Sequence, residues 1–115
     1  MNKIKITKEK QLNLRLAKKA LKNARYIESI KYANKVLNID HKNTKAKEIK
    51  RVANIESKKR VTELIIIGKR QYNNKDLDKA NQSFKEALDI DPHNNTSLIY
   101  AKKIHRQLDT IKSLQ

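Results

Sequence analysis

The chain has no cysteine, one glycine, one proline and one phenylalanine among its 115 residues. Without cysteine there is no disulfide, no thiolate metal site and no thiol nucleophile, and the redox compartment stays open. One glycine and one proline leave few tight turns, which speaks against an all-β fold and against a glycine-rich phosphate loop. Apolar runs such as Leu64-Ile65-Ile66-Ile67 are far shorter than the roughly 20 residues of a membrane-spanning helix. Residues Met1 to Lys8 lack the apolar stretch of a secretory signal, so a protein natively starting at Met1 is expected in the cytoplasm. Aromatic residues are scarce too, at 4%. With Tyr26, Tyr32, Phe84 and Tyr100 mostly needed for packing, they do not furnish a stacking platform for single-stranded nucleic acid.

Positive charge is abundant, and the formal net charge is +16. Residues 1–60 carry 19 Lys and Arg against 5 Asp and Glu, or +14; residues 61–94 carry 5 against 6; residues 95–115 carry 4 against 1. An excess confined to the first half suits an acidic partner, whether protein, nucleic acid or anionic lipid. Lys outnumbers Arg 22 to 6 beside plentiful Ile and Asn, a bias that AT-rich coding sequence also produces. Precise base or phosphate recognition favours the forked guanidinium.

The sequence repeats itself. Leu37-Asn38-Ile39-Asp40 returns as Leu88-Asp89-Ile90-Asp91, displaced by 51 residues. Around the second copy the apolar spacing is helical: Leu64, Ile67 and Gly68 share one face of a first helix. Ala80, Phe84, Ala87 and Leu88 form the inner stripe of a second. Asn73-Asn74-Lys75-Asp76 makes the turn between them, with Asp76 an expected N-cap and Asp78 favourable to the helix dipole. Asp91-Pro92 closes the pair, because proline cannot continue a helix.

These residues resemble the tetratricopeptide repeat family. Its pattern is a large residue, two others, Leu-Gly, two others and Tyr, followed by Ala, three others, Phe and a final Pro. Residues 61–94 match it as Leu64-x2-Ile67-Gly68-x2-Gln71, then Ala80-x3-Phe84-x2-Ala87 and Pro92; Gln71 departs from the usual Tyr. Gly68 and Ala80 are expected to face each other and let two antiparallel helices approach, with Phe84 filling the space beyond. Residues 10–43 read as a degenerate copy, Asn13-x2-Leu16-Ala17-x2-Ala20, then Ser29-x3-Ala33-x2-Val36 and His41. Leu12, Leu16, Tyr26, Ile30, Leu37 and Ile39 would supply its bulk.

The implied fold is all-α: tetratricopeptide-like helical hairpins, a fragment of an α-α superhelix or solenoid, with a connecting helix and a capping helix. Residues 7–43 form the first hairpin, 44–60 the connecting helix, 61–94 the second hairpin and 95–115 the cap of a single helical domain. Family repeats follow every 34 residues, so the 51-residue offset leaves 17 extra. Those residues, with Ala46, Ile49 and Ala53 on one face, either run on into the helix containing Leu64 or break near Ser57. In the cap Leu98, Ala101, Ile104 and Leu108 share a stripe, while residues 1–6 are expected to be loose.

No catalytic set emerges. His41, His93 and His105 lack metal-ligand spacing, no nucleophilic triad or phosphate loop is present, and the carboxylates are scattered. Neither an enzyme, a cofactor, a metal nor a small-molecule substrate is expected. The resemblance instead implies a protein–protein interaction or scaffold module, in which the first helix of each hairpin lines a groove for a peptide or helix of a partner. The residues facing it would be Arg15, Lys18, Leu21 and Lys22 in the first copy, and Ile65, Ile66, Lys69, Tyr72 and Asn73 in the second. Leu64 to Ile67 cover about 300° of a helix at 100° per residue. Some of these isoleucines must meet a neighbouring helix, a second subunit or a ligand. Leu14 stands where the family's carboxylate clamp has a basic residue, which speaks against capture of a chaperone C-terminus. Two hairpins are few for a stable array, so self-association or a multiprotein assembly is expected. A basic surface binding nucleic acid or anionic membrane is the alternative function.

Overall fold

The computed structural model describes residues 2–115, and Met1 lies outside them. Five helices follow one another as adjacent hairpins: α1 (Lys3–Lys22), α2 (Tyr26–Ile39), α3 (Thr44–Asn73), α4 (Leu77–Ile90) and α5 (Asn95–Ser113). The described residues contain no strand. Among the described residues no helix is long and apolar enough to cross a membrane. The start of the chain is more ordered than its sequence suggests. Helix α1 already begins at Lys3, because the Asn2 side chain accepts the Lys5 backbone N–H at 2.8 Å and satisfies a donor that the first turn leaves free.

Contacts divide the chain into a first unit ending at Ser57 and a second from Lys58 to Gln115. Each unit is a three-helix set, and the 51-residue offset seen in one tetrapeptide extends to the backbone. Lys22 and Asn73 end α1 and α3; Tyr26–Ile39 and Leu77–Ile90 bound α2 and α4; Thr44 and Asn95 begin α3 and α5. The turns repeat as well. Ala24 and Lys75 both have positive φ, 58° and 63°. Arg25 N–H reaches the Ala20 carbonyl at 2.8 Å and Asp76 N–H the Gln71 carbonyl at 2.9 Å. This is a Schellman closure, built on alanine and lysine where glycine is usual. Asn43 and Asn94 cap α3 and α5 alike, their Oδ1 atoms accepting from Ala46 N–H at 2.9 Å and Ser97 N–H at 2.8 Å.

Helix α3 runs unbroken through Ser57, about 45 Å at 1.5 Å per residue. Its polar middle suits a helix: the Ser57 and Thr62 hydroxyls bond back to the carbonyls of Asn54 and Lys58 at 2.9 and 3.0 Å. Arg51 pairs with Glu48, and Arg60 with Glu63. Charged pairs at this spacing support an exposed helix without any packing.

In the first unit the core is Ala17, Ala33, Val36, Ala46 and Ile49, edged by Leu14, Leu21, Tyr32 and Leu37. The bulk therefore sits partly elsewhere than the spacing suggests. The inward face of α1 is Asn13, Ala17 and Ala20, which puts Leu14 and Leu21 on one shoulder and Leu12 and Leu16 on the other. Leu12 and Ile39 stay exposed at 44% and 37%, beside a shallow groove that Leu16 and Tyr32 also line. Ser29 Oγ donates to the Ala17 carbonyl at 2.8 Å inside this core. Ala17 and Ser29 hold the places of Gly68 and Ala80, and a side chain bonded to the opposite backbone shows how near the two helices lie.

In the second unit Val61, Leu64 and Ala87 form one cluster and Ala80, Phe84 and Ile104 another, with Ile65 touching both. A Cβ on Gly68 would stand 2.8 Å from Phe84 Cζ and 2.9 Å from Cε2. The nearest atoms across the gap thus belong to Phe84 rather than to Ala80, which is fully buried one turn earlier. Gln71, the departure from the repeat pattern, has its own use: Ser83 Oγ donates to its Oε1 at 2.6 Å, tying α3 to α4. At the start of α5 the buried position is Ser97, while Leu98 is 38% exposed. The inner stripe runs Ser97, Ala101, Ile104, Leu108, one residue earlier at its start than leucine spacing implies.

Candidate functional site: a basic-rimmed apolar cleft on the second unit

The absent side chain of Gly68 starts a chain of aromatic contacts. Phe84 fills the space against α3 and stacks on Tyr100, with ring centroids 4.8 Å apart and planes 12° from parallel. Tyr100 meets Tyr72 edge to face at 5.2 Å and 85°. The Tyr72 hydroxyl then accepts from Gln107 Nε2 at 2.8 Å. Such pairs prefer offset-stacked or edge-to-face geometry, so each ring fixes the next. Tyr72, the last in line, packs against the Ala80–Phe84–Ile104 cluster and is tied to α5 by Tyr100 and Gln107.

Beyond Tyr72 lies an open cleft of about 690 Å³, lined by Tyr72, Asn73, Lys75, Leu77, Arg106, Gln107, Thr110 and Ile111. Leu77 and Ile111 supply aliphatic surface, and Ile111 is 47% exposed. Lys75 sits in its left-handed conformation at the turn after α3, and Arg106 projects from α5. The lining contains no carboxylate, and among the described residues neither Lys75 nor Arg106 is in an ion pair. The site thus offers an apolar floor, amide hydrogen-bonding groups and two cations with unused charge.

No family model, curated protein or solved structure matches the chain.

Of the residues expected to face a groove, Tyr72 and Asn73 meet in this cleft. Ile65 is half-buried between the two clusters of the unit, so it serves packing. Ile66 is 54% exposed and Ile67, expected on the inner face, 36%; Leu64 is the one of the run that the unit covers fully. Lys69 is exposed, its ammonium 6.0 Å from the Tyr100 ring. Arg15, Lys18 and Lys22 are exposed on α1, whereas Leu21 is half-buried against the first unit's core. The repeat-signature residues Ala80, Phe84 and Ala87 are buried, and Pro92 is exposed in the turn before α5. His41, His93 and His105 are exposed, and His105 Nε2 lies 3.3 Å from Asp109 Oδ2.

Sequence reading missed the cleft's second wall. Arg106, Gln107, Thr110 and Ile111 all come from α5, which was expected only to cap the hairpin. A signal was available, since Ile111 continues the stripe Ile104–Leu108 by three residues.

Proposed function

We propose that the protein is a non-catalytic interaction module built from tetratricopeptide-like helical hairpins, with α5 as both cap and cleft wall. The partner is a protein segment that carries an apolar side chain next to Asp or Glu. One observation carries this reading: Leu77 and Ile111 lie in a preformed cleft whose only charged lining residues are Lys75 and Arg106. An apolar anchor would bury against the aliphatic pair, and a carboxylate would meet cations that form no ion pair among the described residues. Rim charges of this kind mainly steer encounter and choose partners, while the desolvated anchor sets residence time. The likeness to the repeat family supports the same reading through the small residues Gly68 and Ala80 and through Phe84.

Peptides selected on the immobilised protein from a random displayed library test it. They should converge on an aliphatic or aromatic residue flanked by acidic ones. Ile111→Asp and Arg106→Glu, both at surface positions, should each weaken the selected peptides at least tenfold with an unchanged thermal melt. Selection without convergence, or convergent peptides indifferent to both substitutions, overturns the proposal.

A further inference from the structure

We propose that the outer face of α1 is a second binding surface, which lies along the phosphate backbone of duplex nucleic acid without reading its sequence. Lys8, Arg15, Lys19 and Lys22 fall within about 60° of one another around the helix at 100° per residue, with Lys5 and Lys18 about 40° to either side. All six are exposed. Among the described residues none of them pairs with a carboxylate, because the ion pairs of this unit use Lys10, Arg25 and Arg51. The only acidic residue of α1, Glu9, stands about 80° or more away from each of the four. The four thus form a straight cationic line without a local counter-charge, while Glu9 lies about 40° from the flanking Lys5.

Its length suits a duplex. Lys8 to Lys22 spans about 21 Å of helix axis, and duplex DNA over that length presents about 12 phosphates at one charge per 1.7 Å. Three of the four collinear cations, and both flanking ones, are lysines, which act as point charges and position a backbone without forked base recognition. An anionic membrane would meet the same charges, but a helix that settles into the interface also buries an apolar face. Leu14, Ala17 and Leu21 of α1 are engaged in the core, which leaves only Ile4 and Leu12 as exposed large apolar side chains of this helix. The duplex is the better fit. None of these residues lines the cleft of the second unit, so either proposal can fail alone.

The test is binding of a labelled 20-base-pair DNA duplex as a function of salt. Six phosphate contacts predict a log–log slope of about −5, at about −0.9 per contact. The variant K8Q/R15Q/K19Q/K22Q should lose three to four units of that slope and at least 100-fold in affinity at low salt. A control, K31Q/K42Q/K45Q/K47Q, removes four other exposed lysines of the same unit and should lose less than one unit. Acetylation footprinting of the wild-type protein gives a readout without substitution: duplex should protect Lys8, Lys19 and Lys22 more than Lys31, Lys42 and Lys45. Three results overturn the proposal. They are no duplex binding at 50 mM salt, equal losses in both variants, or tighter binding to phosphatidylserine vesicles that Ile4→Asn and Leu12→Asn abolish.

Discussion

Gly68 has no side chain because the Phe84 ring occupies the place where one would stand. The ring cannot swing aside, being fully buried and stacked on Tyr100. Gly68→Ala therefore sets two effects against each other. Alanine improves helix propensity by about 1 kcal/mol, while overpacking a closed core costs about 1–3 kcal/mol. A net loss of about 1 kcal/mol is expected in urea unfolding. Adding Phe84→Leu should make the double variant at least about 1 kcal/mol more stable than the sum of the single losses, the signature of a direct contact; simple additivity would contradict the joint. Asp40 illustrates a different residue-scale effect. The Asn43 amide, which outweighs the opposing effect of desolvation, and to a lesser degree the Lys10 ammonium at 3.4 Å hold its carboxyl below the usual carboxylate range. A depressed carboxylate contributes stability above its unfolded-state value, and the contribution disappears as pH falls through the folded value. Lys10→Met and Asn43→Ala should each move the Asp40 carboxyl titration upward by NMR and shrink the loss of stability below about pH 4.

At the scale of elements, the first helix of each unit ends in a left-handed residue that is not glycine. Ala24 carries φ 58°, a conformation that costs an L-residue about 1–2 kcal/mol. Ala24→Gly should raise stability by about 1 kcal/mol in thermal or urea melts, although glycine inside a helix would do the reverse. The continuity of α3 gives a second test. Lys59 is exposed in its middle, so Lys59→Ala should be nearly neutral, whereas Lys59→Pro removes a helix hydrogen bond and should cost about 3 kcal/mol or more. Equal, small effects of both would mean that the helix is interrupted there. Much of this level was legible in the sequence. The apolar spacing of Ala80, Phe84 and Ala87 located α4, Asp91-Pro92 located its end, and Ala46, Ile49 and Ala53 found the buried face of α3. Less legible was which shoulder of α1 turns inward, since leucines flank the Asn13–Ala17–Ala20 face on both sides. Small residues set that choice, and apolar counting undervalues them. For the same reason apolar spacing places Leu98 rather than buried Ser97 on the stripe of α5.

At the scale of the whole molecule, the chain is one three-helix backbone plan used twice, with α3 shared between the two uses. The side chains placed on that plan differ. Ala17, Ser29 and Ala33 in the first unit correspond to Gly68, Ala80 and Phe84 in the second, so only the second acquires the aromatic chain that leads to Tyr72. Of the eight residues lining the cleft only Tyr72 and Asn73 were legible as groove residues, because a cleft joins residues from helices far apart in sequence, and periodicity reports one helix at a time. Under the proposed function a partner segment docks in the cleft of the second unit. The most direct measurement is an amide NMR titration of the full chain with an acidic, leucine-bearing peptide taken from the selection. The expected result is saturable shifts at Tyr72, Asn73, Lys75, Leu77, Gln107 and Ile111, with α2 unaffected. Shifts centred away from these residues, or none at saturating peptide, would contradict it.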